Sequence, residues 1–262
     1  MATTTHWTLV RPRPGISGCL LGMRVRYDGG HKEDTYVTGT LGRHVEFVPY
    51  CPESAIGLGT PRTPIRLVAR GDAVHAINTR SANIDNTEAL RAFGVSVKPE
   101  VADFSGFIVK RNSPSCGLHS VPVFADSGGT EGPPVAAASG IFTQALLATN
   151  PELPIEDEER LKNPDRRRNF VTRIFALARW RALISVGMTT ARLADFHHRH
   201  RFLLLAHDET TYRNLEAVVS SALDSIIETT ARTLPSAVHG RTQPAHDAEI
   251  KRAHAAADTG IG

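Results

Sequence analysis

Cys19, Cys51 and Cys116 are the three cysteines of a 262-residue chain. Each lies where a short apolar run gives way to Gly, Pro or Ser: Ile16-Ser17-Gly18-Cys19-Leu20-Leu21-Gly22, Pro49-Tyr50-Cys51-Pro52-Glu53 and Ser113-Pro114-Ser115-Cys116-Gly117. Three thiols cannot all pair as disulfides, and a reducing cytoplasm disfavours such bonds in any case. No C-x-x-C pair occurs, whereas structural zinc sites usually gather their ligands in close pairs. The cysteines are therefore either three unrelated buried thiols or one three-ligand site. Thiolate is the soft ligand that iron–sulfur clusters select, and three protein ligands leave one metal position open for chemistry.

Polar residues around the cysteines supply a second layer. Glu53, two positions after Cys51, is placed to activate water or to protonate an intermediate; a salt-bridged loop carboxylate is the plainer explanation. Ser113 and Ser115 flank Cys116 and are candidates to hydrogen-bond a substrate, a water or a cluster sulfide, or simply to cap the turn. Spacing does not choose between them. Arg24, Arg26, Lys32, Lys110 and Arg111 surround the same motifs and are candidates for neutralising a phosphate, or are solvated surface. Tyr27-Asp28-Gly29-Gly30-His31 reads as a turn whose glycines allow close backbone approach.

These residues need elements to carry them. Ile16-Ser17, a run through Val45, Phe47 and Val48 that ends just before Cys51, Ile65 to Ala69, Gly106 to Lys110 and Val121 to Phe124 read as strands, and Asn86 or Thr87 as the cap of a short helix. Ile141 to Ala148 reads as a helix stopped by Asn150-Pro151. The alternation predicts an α/β fold: a mostly parallel sheet with flanking helices, followed by an all-α C-terminal region. In such sheets, ligands bind beyond the carboxyl ends of the strands, where the cysteines fall. Residues 126–134 read as a loop. Glu156 to Val186 is charged and helical, with Phe170, Ile174, Leu177 and Trp180 on one stripe. A second long helix, capped by Thr189 or Thr190, runs to about Ala231. It carries His197, His198, His200 and His207, of which His197, His200 and His207 share a face; metal binding and ordinary helix packing both account for that spacing.

Composition sets outer limits. The chain is 41% apolar, enough for a sizeable core, and its net charge is +3. The basic residues are scattered apart from Arg166-Arg167-Arg168, so nucleic acid is not the expected partner. No apolar run approaches the ~18 residues of a membrane span, and the first residues lack the apolar core of a secretory signal, so a cytoplasmic protein is expected.

At the cysteine motifs the sequence resembles the thiouracil desulfidase family. The shared patterns are Ser17 to Gly22 (Ser-x-Cys-Leu-Leu-Gly), Val25 to Gly29 (Val-Arg-Tyr-Asp-Gly), Cys51 to Gly59 (Cys-Pro-Glu-x-Ala-Ile-Gly-Leu-Gly), Pro61 to Leu67 (Pro-Arg-x-Pro-Ile-Arg-Leu) and Lys110 to Gly117 (Lys-x-x-Ser-Pro-Ser-Cys-Gly). The resemblance covers roughly residues 14–155. It implies a [4Fe-4S] cluster held by Cys19, Cys51 and Cys116, with one open iron that captures the sulfur of a thiolated pyrimidine base or nucleotide. The implied reaction is a non-redox, hydrolytic replacement of sulfur by oxygen in 4-thiouracil or 4-thiouridine monophosphate, releasing sulfide, in salvage of thiolated nucleotides. The second half resembles a helical domain often fused behind the desulfidase domain, through Phe196-His197-x-x-His200, Leu204 to His207 and Tyr212-Arg213-x-Leu215, and departs from it after about residue 219. The expected organisation is an iron–sulfur domain over 1–155, a truncated helical companion over 156–234 and a disordered tail over 235–262. The alternative is a non-catalytic zinc- or iron–sulfur-binding protein, with His119 completing a zinc site, joined to a helical interaction module.

Overall fold

The computed structural model describes residues 10–126 and 132–233, the last eight of these as backbone only. The part of the 126–134 loop from 127 to 131 and the tail over 235–262 lie outside the described residues. The contacts divide the chain into two compact units, Met1–Val186 and Gly187–Gly262.

In the first unit, four three-residue strands form an all-parallel sheet: β1 (Gly15–Ser17), β2 (Val48–Tyr50), β6 (Phe107–Val109) and β9 (Ile155–Asp157), in the order β2-β1-β6-β9. Gly15 stands opposite both Val48 and Phe107, and Phe107 opposite Ile155, so the carboxyl ends are level. Parallel sheets are covered on both faces, and alternate residues point to opposite sides. Ile16 and Ile108 accordingly join Leu20, Val37, Leu41, Phe170 and Ile174 in one core cluster. Phe107 and Val109 join Val101, Phe104, Phe142 and Leu146 in another. The second cluster is rich in rings: Tyr50 lies 5.7 Å from Phe107 and 5.8 Å from Phe104 between centroids, which is ordinary aromatic packing distance.

Between these strands the chain builds a second sheet, order β5-β4-β3-β7-β8. It consists of β3 (Ile65–Arg70), β4 (Ala73–Asn78), β5 (Ser81–Asp85), β7 (Val121–Ala125) and β8 (Ala136–Ala138). Its pairs are antiparallel except β3 with β7. The β3–β4 hairpin turns at Gly71, whose φ of 57° suits glycine. Ile65, Leu67, Ala76, Val121 and Val123 pack with Leu90 and Ile141 in a third cluster. These last two come from α2 (Thr87–Ser96) and α4 (Ile141–Thr149). The remaining helices of this unit are α1 (Pro52–Ala55), α3 (Lys98–Val101) and α5 (Pro164–Ser185).

The α/β class holds, with two departures in detail. The reading of Glu156 to Val186 as one helix is corrected: Ile155–Asp157 is an edge strand and the helix begins at Pro164, capped by Asn163, whose Oδ1 accepts from the amides of Asp165 and Arg166. Two carboxylates in a three-residue strand carry no strand signal; Glu156 is accommodated by its ion pair with Arg160. Phe170 and Ile174 of α5 pack on β1 and β6, which places this helix in the first unit. The single long helix to Ala231 is also corrected. α6 (Thr190–His207), capped by Thr189, and α7 (Glu209–Thr233) are separated at Asp208, which is extended and accepts the Thr211 amide at 2.9 Å, as an N-cap does. No helix of the described residues is long and apolar enough to cross a membrane.

Candidate active site

Each cysteine follows a strand of the parallel sheet, Cys19 and Cys51 directly or after one residue and Cys116 at the end of a longer loop. After β1, the chain tightens into a 3-10 turn, Gly18–Leu21, that holds Cys19; Gly22 closes it at φ 84° and the Lys32 amide donates to the Cys19 carbonyl at 2.9 Å. After β2, Cys51 is the N-cap residue of α1, with Pro52 at the first helical position, where a missing N–H costs nothing. After β6, the chain loops through Asn112 (φ 58°), and the Gly117 amide returns to the Ser113 carbonyl at 2.7 Å. The start of α4 braces that loop: the Phe142 amide donates to the Ser115 carbonyl at 3.0 Å and the Thr143 hydroxyl to the Cys116 carbonyl at 2.6 Å.

All three cysteines line one cavity of about 320 Å³, together with Glu53, Ser113 and Ser115. The serine between them donates inward. Ser115 Oγ donates to Glu53 Oε1 at 2.6 Å, touches Ser113 Oγ at 3.1 Å and lies 3.7 Å from Cys116 Sγ. Ser113 Oγ also accepts the Cys116 amide at 3.2 Å, as a turn cap does. Cys51 Sγ accepts from the Ser54 hydroxyl at 3.2 Å.

Burial raises the Cys19 thiol to about 11, against the smaller opposing pull of Arg26 and Lys110. Burial raises Cys116 to about 12; the negative charges of Cys51 and Glu53 add to it, while the Ser17 and Ser115 hydroxyls pull the other way. Near neutral pH, thiols so placed stay protonated unless a soft cation shares the pocket. The donor set fits an iron–sulfur cluster in type, three sulfurs from three separate loops around one cavity. Among the described residues, no three His, Cys, Asp or Glu side chains are grouped as ligands of a single metal ion. His119, the suggested fourth zinc ligand, is exposed and does not line the cavity; its amide donates to Ser139 Oγ. His119 is therefore not placed to join the three cysteines as a ligand. Three of the four α6 histidines have neighbours of their own: His197 stacks on Tyr212, His198 meets Arg201, and His200 stacks on Phe196.

The basic residues separate. Arg26, Lys32, Lys110 and Arg111 line the cavity, and Arg24 does not. Lys110 is ion-paired with the buried Glu158, which also accepts the Arg111 amide at 2.8 Å. Sequence reasoning passed over two cavity residues. Ser17 Oγ accepts the Lys110 amide at 3.0 Å and ties the ends of β1 and β6 together. Arg62 Nε donates to Glu53 Oε2 at 2.7 Å, with both side chains largely buried. Arg62 was visible within Pro61-Arg62-Thr63-Pro64, but nothing local pointed it at Glu53.

An all-parallel sheet that delivers three thiols, a buried carboxylate and two hydroxyls to one rim defines an α/β protein with a cysteine-lined pocket. The chain belongs to the 2-thiouracil desulfurase family, whose profile matches residues 15–158 and so takes in every residue of that pocket. Among solved structures, it is similar to a [4Fe-4S]-dependent thiouracil desulfidase, TudS, at 27% identity over 58% of this chain and 93% of that one, with a TM-score of 0.47. No curated protein matches significantly.

Proposed function

We propose that this chain is a desulfidase that replaces the sulfur of 4-thiouracil or 4-thiouridine monophosphate by oxygen, with a [4Fe-4S] cluster held by Cys19, Cys51 and Cys116. The observation that carries the reading is the delivery of three thiols and the Ser115–Glu53 pair into one cavity. When bound, such a cluster supplies an open iron, a soft Lewis acid matched to a thiocarbonyl sulfur. The balance is that of a hydrolysis: the oxygen of water replaces sulfur on the ring carbon, sulfur leaves as sulfide, and no electrons are exchanged. Glu53 takes the proton of the attacking water, and Ser115, hydrogen-bonded to it, orients water or substrate.

A 5′-phosphate on the substrate would meet Lys32 and Arg111, since Lys110 is ion-paired with Glu158 and Arg26 with Asp28. Breakdown of thiolated transfer RNA yields such nucleotides, so the role is salvage or detoxification in the cytoplasm.

The test is iron and acid-labile sulfide content after anaerobic purification. About four of each per chain is the expected result, lost in Cys51→Ser. Stoichiometric zinc without sulfide would overturn the reading. Loss of thiocarbonyl absorbance is then followed with 4-thiouracil and its nucleotides; a cluster-loaded protein that turns over none of them refutes the substrate while leaving the cluster.

A further inference from the structure

Glu53 is buried, yet only one of its carboxylate oxygens faces Ser115. The other is taken by a residue that the proposed reaction has not used. Arg62 Nε donates to Glu53 Oε2 at 2.7 Å, and the Arg62 side chain is 6% exposed.

The rest of the guanidinium is committed to two loop carbonyls and a hydroxyl. Nη1 donates to the Gly59 carbonyl at 2.7 Å and to Thr60 Oγ1 at 3.2 Å. Nη2 donates to the Val25 carbonyl at 2.9 Å and lies 3.9 Å from Cys51 Sγ. The Arg62 amide donates to the Tyr27 carbonyl at 2.8 Å, so side chain and main chain grip the same 25–27 segment. A planar fork held at three corners cannot rotate, and it presents one fixed N–H to Glu53. The carboxylate is thus clamped between a rigid cation on one oxygen and a hydroxyl on the other. By contrast, Lys110 makes its ion pair through a flexible stem and turns to Glu158, away from this pair.

We propose that Arg62 is a positioning residue: by fixing the Glu53 carboxylate it keeps Oε1 on Ser115 and aimed at the reacting end of the cavity. The inference rests on the desulfidase reading in which Glu53 moves the proton. A group that acts by holding a proton acceptor in place contributes in the transition state rather than to substrate binding, so its loss appears in kcat and not in KM.

The experiment uses full-length Arg62→Met and Arg62→Lys, purified anaerobically and assayed for iron, sulfide and kinetics with 4-thiouracil, and a crystal structure of each variant. The expected result for Arg62→Met is a full complement of iron and sulfide, kcat down by about tenfold or more, and KM within about threefold. Arg62→Lys, which keeps the charge but loses the fork, falls between the wild type and Arg62→Met. In the crystal, the Glu53 carboxylate of Arg62→Met leaves hydrogen-bond reach of Ser115. An unmoved carboxylate, an unchanged kcat, or a fall in kcat that merely tracks lost iron overturns the proposal. If Arg62→Met does not fold, Arg62→Lys decides: wild-type kcat with the carboxylate in place overturns it. If the wild type turns over no thiolated pyrimidine, the desulfidase reading falls, and the carboxylate positions alone then decide whether Arg62 places Glu53.

Discussion

Ser115 donates to Glu53, whereas Ser113 accepts the Cys116 amide and meets Glu53 only through Ser115. That difference separates two residues that the sequence leaves equivalent. Glu53→Gln and Ser115→Ala are expected to keep the cluster and lose about a hundredfold or more in kcat, the scale of a lost proton-transfer group. Ser113→Ala removes a cap on the loop: it should cost about 1 kcal/mol of stability and less than about tenfold in kcat. Anaerobic kinetics beside thermal melts check both, and equal kinetic losses from the two serines would refute the distinction. The thiols carry a second expectation, on the metal-free protein. Burial lifts Cys19 to about 11 and Cys116 to about 12, so both stay protonated where an ordinary thiol has already ionised. Their alkylation rates, read by mass spectrometry, should still climb with each step in pH above the ordinary thiol range; a plateau there would refute the raised values. The cysteines and Glu53 were legible in the sequence because their residue types are rare or oddly placed. Arg62 was not, because its partner is chosen by tertiary packing.

At the scale of elements, the sequence announces β1 and β6 as apolar runs and places a strand just before Cys51, although β2 spans only Val48–Tyr50 and residues 45–47 stay outside it. It does not announce that β3, β4, β5, β7 and β8 form a separate sheet, because strands of the two sheets interleave along the chain and look alike locally. Nor does it announce β9, whose Glu156 and Asp157 are buried polar groups in a three-residue strand. The contact that holds the Cys116 loop was equally hidden. Gly140, just before α4, lies so close that an added Cβ would fall 2.4 Å from the Ser115 carbonyl carbon and 2.7 Å from the Cys116 amide nitrogen. These are backbone atoms and cannot step aside. Gly140→Ala should therefore cost about 1–3 kcal/mol, the usual range for overpacking, and lower the iron content by shifting Cys116. Gly39→Ala is the control: nothing lies within 4 Å of its added Cβ, so stability should move by less than about 1 kcal/mol and iron not at all. Melting temperatures and iron assays of the two variants read the contrast, and matching losses would refute the close-contact argument.

For the whole molecule, the question is where the catalytic unit ends. The family match stops at residue 158, and every cavity residue lies between Ser17 and Cys116. The core, however, does not stop there. Phe170 and Ile174 of α5 are 3% and 0% exposed and cover Ile16 and Ile108 on one face of the parallel sheet. Gly106 shows how close that helix lies, since an added Cβ would meet Ile174 Cγ2 at 2.6 Å. A chain cut after residue 158 would expose this face. Losing two large buried side chains costs several kcal/mol, at about 3–5 for Phe and 2–5 for Ile, a large share of a domain's stability. A chain cut after Val186 keeps all three core clusters, each of which is built from residues before that point. The 1–186 protein should therefore fold, hold iron and sulfide as the full chain does, and keep kcat within about twofold, whereas 1–158 should aggregate or lose its iron. Circular dichroism, iron content and turnover of the two truncations test this. An active, stable 1–158 protein would show that α5 is dispensable, and an inactive 1–186 protein would show that the second unit, Gly187–Gly262, contributes to the reaction despite supplying no residue to the described cavity.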